Sequence, residues 1–179
     1  MTNDEQPHKA NLEKIPQLRP AFAEGGTITP ANSSSISDGA SALLLASEEA
    51  ANAHGLTPRA RIVAHARNSL APESFTLAPI GAAEQVLAKA GWSAADVDLW
   101  EINEAFAMVT MLTMRALNLD PACVNVHGGA CAQGHPVGST GSRIIVTLIN
   151  ALEHYGKKRG VAALCIGGGE ATAMAIELV

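Results

Sequence analysis

The C-terminal end of the chain restricts the fold more than any other part of the sequence. Residues 161–166 and 171–178 are two apolar segments of the kind that forms buried strands, and the glycines at 167–169 lie between them. Parallel neighbours need a crossover of about a dozen or more residues, which so short a connection cannot hold. We therefore predict that these two strands form an antiparallel hairpin.

Upstream of the hairpin, segments typical of strands alternate with segments typical of helices. The predicted strands lie at residues 61–66, 97–102 and 123–126, and the predicted helices lie at residues 79–90, 104–117 and 138–155. Pro79 suits the first turn of its helix, and Gly91 suits the end of it. The alternation predicts a single α/β layered domain, and the hairpin excludes a purely parallel sheet.

The polar run at residues 32–39 leads into an apolar run at residues 40–46. By composition alone the polar run is also compatible with a flexible linker. However, Ser37 or Asp38 can cap a helix over residues 39–54 that Gly55 ends. Because residues 40–46 are apolar on every side of such a helix, we predict that its first half is buried all round and that its cap is ordered.

The charge and the cysteines exclude several classes of protein. A net charge of −5 without a basic patch predicts no nucleic-acid partner and no binding to an anionic membrane surface. Cys123, Cys131 and Cys165 have no CxxC spacing, so we expect free thiols in a reducing compartment. No apolar run reaches the roughly 18 residues of a membrane span, and residues 1–14 have no signal-peptide core, so we expect a cytoplasmic protein.

Three polar groups of residues follow predicted strands, where open α/β sheets usually bind ligands. The first is Asn103-Glu104, followed by Ala105-Phe106-Ala107, at a turn from strand to helix. Asn103 is a candidate site residue, although an asparagine at this place is also explained as the N-cap of the helix.

The second group is the glycine-rich loop at residues 127–138, which contains His135 followed by Pro136. Glycines let the backbone approach a ligand closely, although such loops are also common connectors. His127, Cys131 and His135 recur every four residues, as three metal ligands on one helix face would. The glycines and the proline make that helix implausible, and we predict no metal site.

The third group is Cys165-Ile166-Gly167-Gly168-Gly169, at the turn of the predicted hairpin. A cysteine at a strand end is often only a small buried hydrophobic residue. Here it lies beside a glycine turn whose backbone amides can bind an oxyanion.

Taken in this order, the three groups resemble the three C-terminal signatures of the thiolase family. The match includes Asn103 to Ala107, then Gly128-Gly129-Ala130 through Gly138, then Cys165 to Gly169. The resemblance extends over nearly all of the chain from about Leu18 onward. It implies the thiolase-like C-terminal half-fold, a layered mixed β-sheet with helices on both faces. It also implies a domain over residues 31–179 that follows an irregular lead-in over residues 1–30.

The resemblance implies acyl transfer between coenzyme A thioesters, by Claisen condensation or its reverse, with these thioesters as substrates and no cofactor. Cys165 is similar to the family's base that takes and returns the substrate proton. His135 is similar to the group that activates a nucleophilic cysteine and donates to the thioester oxygen, and Asn103 to the residue that holds a water in that oxyanion hole. The amide of Gly167 is similar to part of a second oxyanion hole, and Ser34 to a contact of the pantetheine arm.

The sequence departs from the family in one large respect. The family's nucleophilic cysteine lies in its N-terminal half, and neither Cys123 nor Cys131 has the matching context. We therefore expect this chain to be inactive without that half, and we expect the half, a complementing chain or a second copy of the chain as partner. Gln133 also replaces an aliphatic residue that the family usually has two positions before the histidine.

Two alternatives remain open at this point. One is a non-catalytic module that binds a coenzyme A ester or a protein partner. The other is a hydrolase that works through Cys165 and His135 alone. The joint presence of Asn103, His135 and Cys165 favours the thiolase interpretation, because a binding module needs no base beside a histidine.

Overall fold

The computed structural model describes His8 and residues 10–179. The predictions that concern residues 1–7 and 9 lie outside the described residues. The helices are α1 (Glu48–Ala53), α2 (Ala78–Ala90), α3 (Ala107–Leu117), the single turn α4 (Ala130–Gln133) and α5 (Thr140–His154), and the strands are β1 (Ala60–Ser69), β2 (Leu99–Ile102), β3 (Arg159–Ile166) and β4 (Glu170–Leu178). Short 3₁₀ helices connect several of these elements.

The four strands form one mixed sheet in the order β1-β4-β3-β2. β3 and β4 are antiparallel, with Cys165 opposite Ala171, so the predicted hairpin is confirmed. β1 is antiparallel to β4, whereas β2 runs parallel to β3 and pairs Ile102 with Ala163. The carboxyl ends of β2 and β3 therefore meet at one edge of the sheet, which we call the carboxyl edge.

The side chains of the strands alternate between two hydrophobic layers, as the period of two in a strand requires. Along β3, Val161, Ala163 and Cys165 belong to one layer, and Ala162 with Leu164 belongs to the other. The first layer packs against α2 and α3, and the second packs against α5. Helices thus cover both faces of the sheet, which confirms the predicted fold class.

The ends of α2 follow directly from its sequence. Pro79 lies in its first turn, where the missing amide hydrogen costs nothing. Gly91 ends the helix in the left-handed conformation with φ 69°, which a residue with a Cβ rarely adopts. The predicted limits of this helix are confirmed.

The predicted helix over residues 39–54 is wrong over its first half. The helical part is α1 alone, and Ser47 caps it by accepting from the amide of Ala50. Residues 40–46 have no regular structure, and Leu44 and Leu45 are 82% and 71% exposed. A helix that is apolar on every side gains stability only when other elements cover it, and the described residues do not cover this segment.

Two smaller predictions also need correction. The segment predicted as a strand at 123–126 is instead the end of the 3₁₀ helix Pro121–Cys123, followed by a single bridge between Val124 and Trp100. The helix predicted from residue 104 begins at Ala107. In the part of the chain that the structure describes, every helix is too short or too polar to cross a membrane.

Candidate active site

Asn103 and Cys165 lie at the carboxyl edge because of the register of two parallel strands. Asn103 follows β2 directly, and its backbone amide donates to the carbonyl of Ala163 on β3 at 2.9 Å. Cys165 lies two residues further along β3. Both side chains are buried at the edge where the sequence predicts a ligand site.

The loop at residues 127–138 brings His135 to the same edge. Its middle forms the single turn α4, and Gly134 ends the turn with φ 91°. The amide of His135 then donates to the carbonyl of Ser35 at 3.1 Å, and Ile36 forms a bridge with His135. The polar run at 32–39 is therefore held in place at this loop, which rules out the linker interpretation for these residues.

The hydrogen bonds of His135 define which of its ring nitrogens carries the proton. Its Nδ1 lies 2.7 Å from the hydroxyl of Thr140, and that hydroxyl donates its hydrogen to the carbonyl of Pro136 at 3.0 Å. The Thr140 oxygen must then accept from Nδ1–H, so the neutral ring has a free lone pair on Nε2. This nitrogen faces the side-chain amide of Asn103, Nδ2, at 3.4 Å.

The surroundings of His135 keep it neutral. Burial lowers the pKa of the imidazole, and the positive charge of Arg143 lowers it further. At neutral pH the ring therefore presents a free Nε2, which can accept a proton or a hydrogen bond.

The side chain of Glu104 holds the loop at residues 127–138 through hydrogen bonds. Its carboxylate accepts from the amide of Cys131 at 3.0 Å and from the side-chain amide of Asn125 at 3.4 Å. A Cβ on Gly129 would overlap this carboxylate, so glycine is the residue that fits there. Burial and the Glu104 charge raise the pKa of the Cys131 thiol to about 11.

Cys165 and Gly167 lie at the hairpin turn, one strand away from Asn103. Burial raises the pKa of the Cys165 thiol, which keeps it protonated at neutral pH. A side chain at Gly167 would meet nothing within 4 Å, so its backbone faces open space and a ligand can approach it. The hydrogen bonds among the described residues join Asn103 to His135, but they do not join Cys165 to either.

Ser34 lies beside the Asn103 turn. Its amide and its hydroxyl both donate to the carbonyl of Ala105, at 3.2 and 3.1 Å. The hydroxyl is thereby oriented, and its oxygen can still accept a hydrogen bond.

Two alternative explanations from the sequence do not match the geometry. Asn103 is not the N-cap of α3, because that position belongs to Phe106, which makes no side-chain cap. His127, Cys131 and His135 do not converge, since the ring of His127 packs on Tyr155 at a centroid distance of 5.6 Å. Among His8 and residues 10–179, no group of three possible ligands is placed to hold a metal ion.

Three residues of this site were not predicted from the sequence: Thr140, Arg143 and Glu101. Arg143 on α5 donates through Nη2 to the side-chain oxygen of Asn103 at 3.2 Å, and Glu101 on β2 lies beyond it. A carboxylate in the otherwise apolar segment Leu99–Ile102 is a signal that could have indicated a buried polar network.

Gln133, which departs from the family pattern, has a local role that the sequence did not predict. Its side-chain amide donates to the carbonyls of His127 at 2.7 Å and Gly128 at 3.2 Å. It therefore ties the start of the loop to α4.

A mixed sheet covered by helices on both faces, with a histidine–asparagine contact at its carboxyl edge, defines a layered α/β domain. The family model described as "Thiolase, C-terminal domain" matches residues 56–178, and "Thiolase, N-terminal domain" matches residues 1–49. The chain belongs to the thiolase family.

Relatives in sequence are similar over almost the whole chain. It is 49% identical to the cytosolic acetyl-CoA acetyltransferase of Mus musculus over 177 residues, which are 97% of this chain and 45% of that protein. It is 45% identical to the acetyl-CoA acetyltransferase of Paracoccus denitrificans over 170 residues, which are 95% of this chain and 44% of that protein.

Solved structures agree with these matches. The acetyl-CoA acetyltransferase of Bacillus anthracis superposes with a TM-score of 0.91 at 42% identity, covering 96% of this chain and 43% of that chain. A thiolase from Ascaris suum in complex with coenzyme A gives a TM-score of 0.90 at 42% identity, covering 100% of this chain and 47% of that chain. The chain thus spans less than half the length of the relatives it matches.

Proposed function

We propose that this chain provides the C-terminal catalytic part of a thiolase that transfers acyl groups between coenzyme A thioesters. The single observation that supports this most is the Thr140–His135–Asn103 arrangement, in which the unprotonated Nε2 of a neutral histidine faces Asn103 at the carboxyl edge. The named relatives are acetyl-CoA acetyltransferases, and one structural neighbour is a complex with coenzyme A.

The roles of the residues follow from their protonation states. His135 Nε2 takes the proton of a nucleophilic thiol and, once protonated, donates to the thioester oxygen, while Asn103 orients a water at that oxygen. In the cleavage direction, the Cys165 thiol gives its proton to the enolate of the departing acetyl group, and in condensation its thiolate removes that proton. The raised pKa of Cys165 suits the donor form.

The nucleophile comes from the N-terminal half of a thiolase. The chain has three cysteines, and the pKa of each is raised, chiefly by burial. A thiol with a raised pKa is a poor nucleophile at neutral pH, because the thiolate is the attacking form. We therefore propose that the chain has no thiolase turnover unless that half is present.

The experiment uses an assembled enzyme, in which this chain is combined with, or fused to, the part of the Paracoccus denitrificans enzyme that precedes its matched region. Cleavage of acetoacetyl-CoA by coenzyme A is measured. His135→Ala removes both a base and an oxyanion-hole donor, so we expect a loss in kcat of at least about 10²–10³-fold. Cys165→Ala should abolish turnover, and Asn103→Ala should impair condensation more than cleavage.

His154→Ala is the matched control, because His154 lies at the far end of α5 and packs on Tyr155. It should keep wild-type turnover. Wild-type activity in the His135→Ala enzyme would contradict the proposed mechanism. Binding of acetyl-CoA by an assembled enzyme that never turns over would instead favour the non-catalytic binding module.

We also propose a cytoplasmic location, which the cytosolic mouse relative supports. A structural neighbour from human mitochondria belongs to the same family, so fractionation of the source cells provides the test. Recovery of the chain with the mitochondria would overturn this part of the proposal.

A further inference from the structure

Two ionisable residues lie buried behind the histidine–asparagine pair, and the roles proposed above do not use them. Glu101 on β2 is 2% exposed, and the side chain of Arg143 on α5 is 16% exposed. Burying charged groups is costly, and an apolar pair of similar size is often as stable or more so. Their presence beneath a catalytic edge therefore calls for an explanation other than stability.

The geometry does not resemble that of a structural ion pair. The closest approach of Arg143 to Glu101 is 4.0 Å, from Nη1 to Oε2, which exceeds hydrogen-bond distance. The protein offers no hydrogen-bond partner to Arg143 Nε, Arg143 Nη1 or Glu101 Oε1 among the described residues. Strong arginine–carboxylate pairs are typically bidentate and short, and this one is neither.

In the described part of the chain, the guanidinium of Arg143 makes one side-chain hydrogen bond, to Oδ1 of Asn103 at 3.2 Å. An arginine can only donate, so it fixes which end of the carboxamide faces it. Nδ2 of Asn103 must then point the other way, toward Nε2 of His135 at 3.4 Å. If the carboxamide were reversed, its oxygen would face the lone pair of Nε2, and no hydrogen bond could form.

We propose that Arg143 is a positioning residue that fixes the orientation of the Asn103 carboxamide and thereby the donor that faces His135. Glu101 alternates along β2 with Trp100 and Ile102 of the first layer, so it lies on the face that α5 covers, where it approaches Arg143 to 4.0 Å without a hydrogen bond. The proposal rests on the proposed function for its effect on turnover, but its geometry does not depend on that function.

The charge of Arg143 has a second measurable effect, which is on the pKa of His135. It lowers the pKa of His135, and the other charged groups that interact with Arg143 are Glu101 and Glu104. Replacing Arg143 by an uncharged residue should therefore raise the pKa of His135.

The first test measures kcat and KM of the assembled enzyme for the condensation of acetyl-CoA, the direction in which Asn103 is expected to matter more. Arg143→Met keeps the length of the side chain but removes the donor and the charge. Misplacement of a catalytic group by about 1 Å typically costs about 10²-fold, so we expect a loss in kcat of that order with little change in KM. Arg115→Met is the matched control, because Arg115 is exposed on α3, and it should keep the wild-type kcat.

A double-mutant cycle decides whether Arg143 acts through Asn103. At about pH 8, where His135 is neutral with or without the Arg143 charge, adding Arg143→Met to the Asn103→Ala enzyme should reduce kcat no further, since the group it positions is already gone. Losses that multiply would overturn the proposal. If Arg143→Met does not fold, Arg143→Lys takes its place in the cycle, and multiplying losses overturn the proposal in the same way.

The second test is independent of turnover. NMR of the 179-residue chain, which carries Leu44→Ser and Leu45→Ser to limit self-association, follows the His135 imidazole and the side-chain amide protons of Asn103. Arg143→Met should raise the pKa of His135 and speed exchange of the Asn103 amide protons, and Arg115→Met should change neither. If both signals are unchanged in Arg143→Met, the proposal is wrong, whereas an inactive wild-type assembled enzyme would refute only the proposed function.

Discussion

The carboxyl edge of the sheet and the apolar segment at residues 40–46 are in contact but differ in how they are held. The hydroxyl of Ser41 hydrogen-bonds with those of Ser139 and Ser142, at 2.6 and 2.7 Å, beside the start of α5. Beyond this point the segment has no regular structure, and its leucines are exposed, whereas the nearby side chains of Asn103 and Thr140 are buried and hydrogen-bonded.

The difference shows what each region needs from the rest of the protein. The carboxyl edge is built from β2, β3 and α5, so this chain itself provides the elements that pack around it. Residues 42–46 are as apolar as a core helix, but the described residues do not provide the cover that such a helix requires.

The largest effect should come from the core beneath the site. Leu148 on α5 is fully buried between the helix and the sheet. Leu148→Ala leaves a cavity, so the free energy of unfolding should fall by about 2–5 kcal/mol, as measured by urea denaturation. Leu44→Ala is the matched control in the exposed segment, and it should change stability by less than about 0.5 kcal/mol. Equal losses in the two variants would show that residues 40–46 are packed.

A pH dependence should distinguish the buried edge from the surface. Burial raises the pKa of Glu101 to about 8, whereas the pKa of a glutamate in the unfolded chain is about 4.3. Between these values the folded state holds a proton that the unfolded state has released. The free energy of unfolding should therefore fall as pH rises through this range, by up to about 1.4 kcal/mol per pH unit from this group.

The side chain introduced by Glu101→Gln cannot titrate. The free energy of unfolding of this variant should therefore fall less over the same pH range than that of the wild type. The difference is measured by urea denaturation of the wild type and the variant at pH values from about 5 to about 8, spaced about one unit apart. Glu49→Gln, at an exposed carboxylate of α1, should follow the wild-type curve. Parallel curves for wild type and Glu101→Gln would show that Glu101 does not hold a proton in the folded state.

A smaller loss of stability is expected in the loop at residues 127–138, which the Glu104 carboxylate holds in place. Gly129→Ala places a methyl group against the Glu104 carboxylate, which accepts from the Cys131 amide. Overpacking of this kind typically costs about 1–3 kcal/mol, measured by the same denaturation. Gly141→Ala in α5 is the control, because a Cβ at this position meets nothing within 4 Å. This substitution should stabilise the helix by up to about 1 kcal/mol. An unchanged stability in Gly129→Ala would mean that the loop shifts freely away from Glu104.

The smallest change in stability should accompany a change in association. Exposed leucines favour self-association, so we expect the chain to form oligomers at low micromolar concentration in sedimentation experiments. Replacing Leu44 and Leu45 by serine should weaken that association and leave the unfolding free energy within about 0.5 kcal/mol of wild type. A chain that sediments as a monomer and binds no hydrophobic dye would contradict this prediction.

The sequence predicted the elements whose signals are local. Pro79 and Gly91 gave the limits of α2, and the three glycines after Ile166 gave the hairpin and, with it, the mixed sheet. These signals work because backbone geometry alone decides them. The helix at 40–46 was predicted by the same kind of reasoning, and it was wrong because its stability depends on cover that no local pattern reveals.

For the site, the motifs predicted the residues but not their connections. Asn103 and His135 were identified and are in contact, but Thr140 and Arg143 were missed. Thr140 and Arg143 reach the site only because α5 packs on the second face of the sheet. Such contacts arise from tertiary packing, and the spacing of residues along the chain does not predict them.

The central claim is that the carboxyl edge performs thiolase chemistry only when the N-terminal half of a thiolase provides the nucleophile. The most direct measurement keeps the 179-residue chain at a fixed concentration and adds that half stepwise, while acetoacetyl-CoA cleavage is followed. We expect no turnover at the start and a rise to a plateau near equal amounts of the two chains. Turnover by the chain alone that survives in Cys165→Ala would contradict this claim.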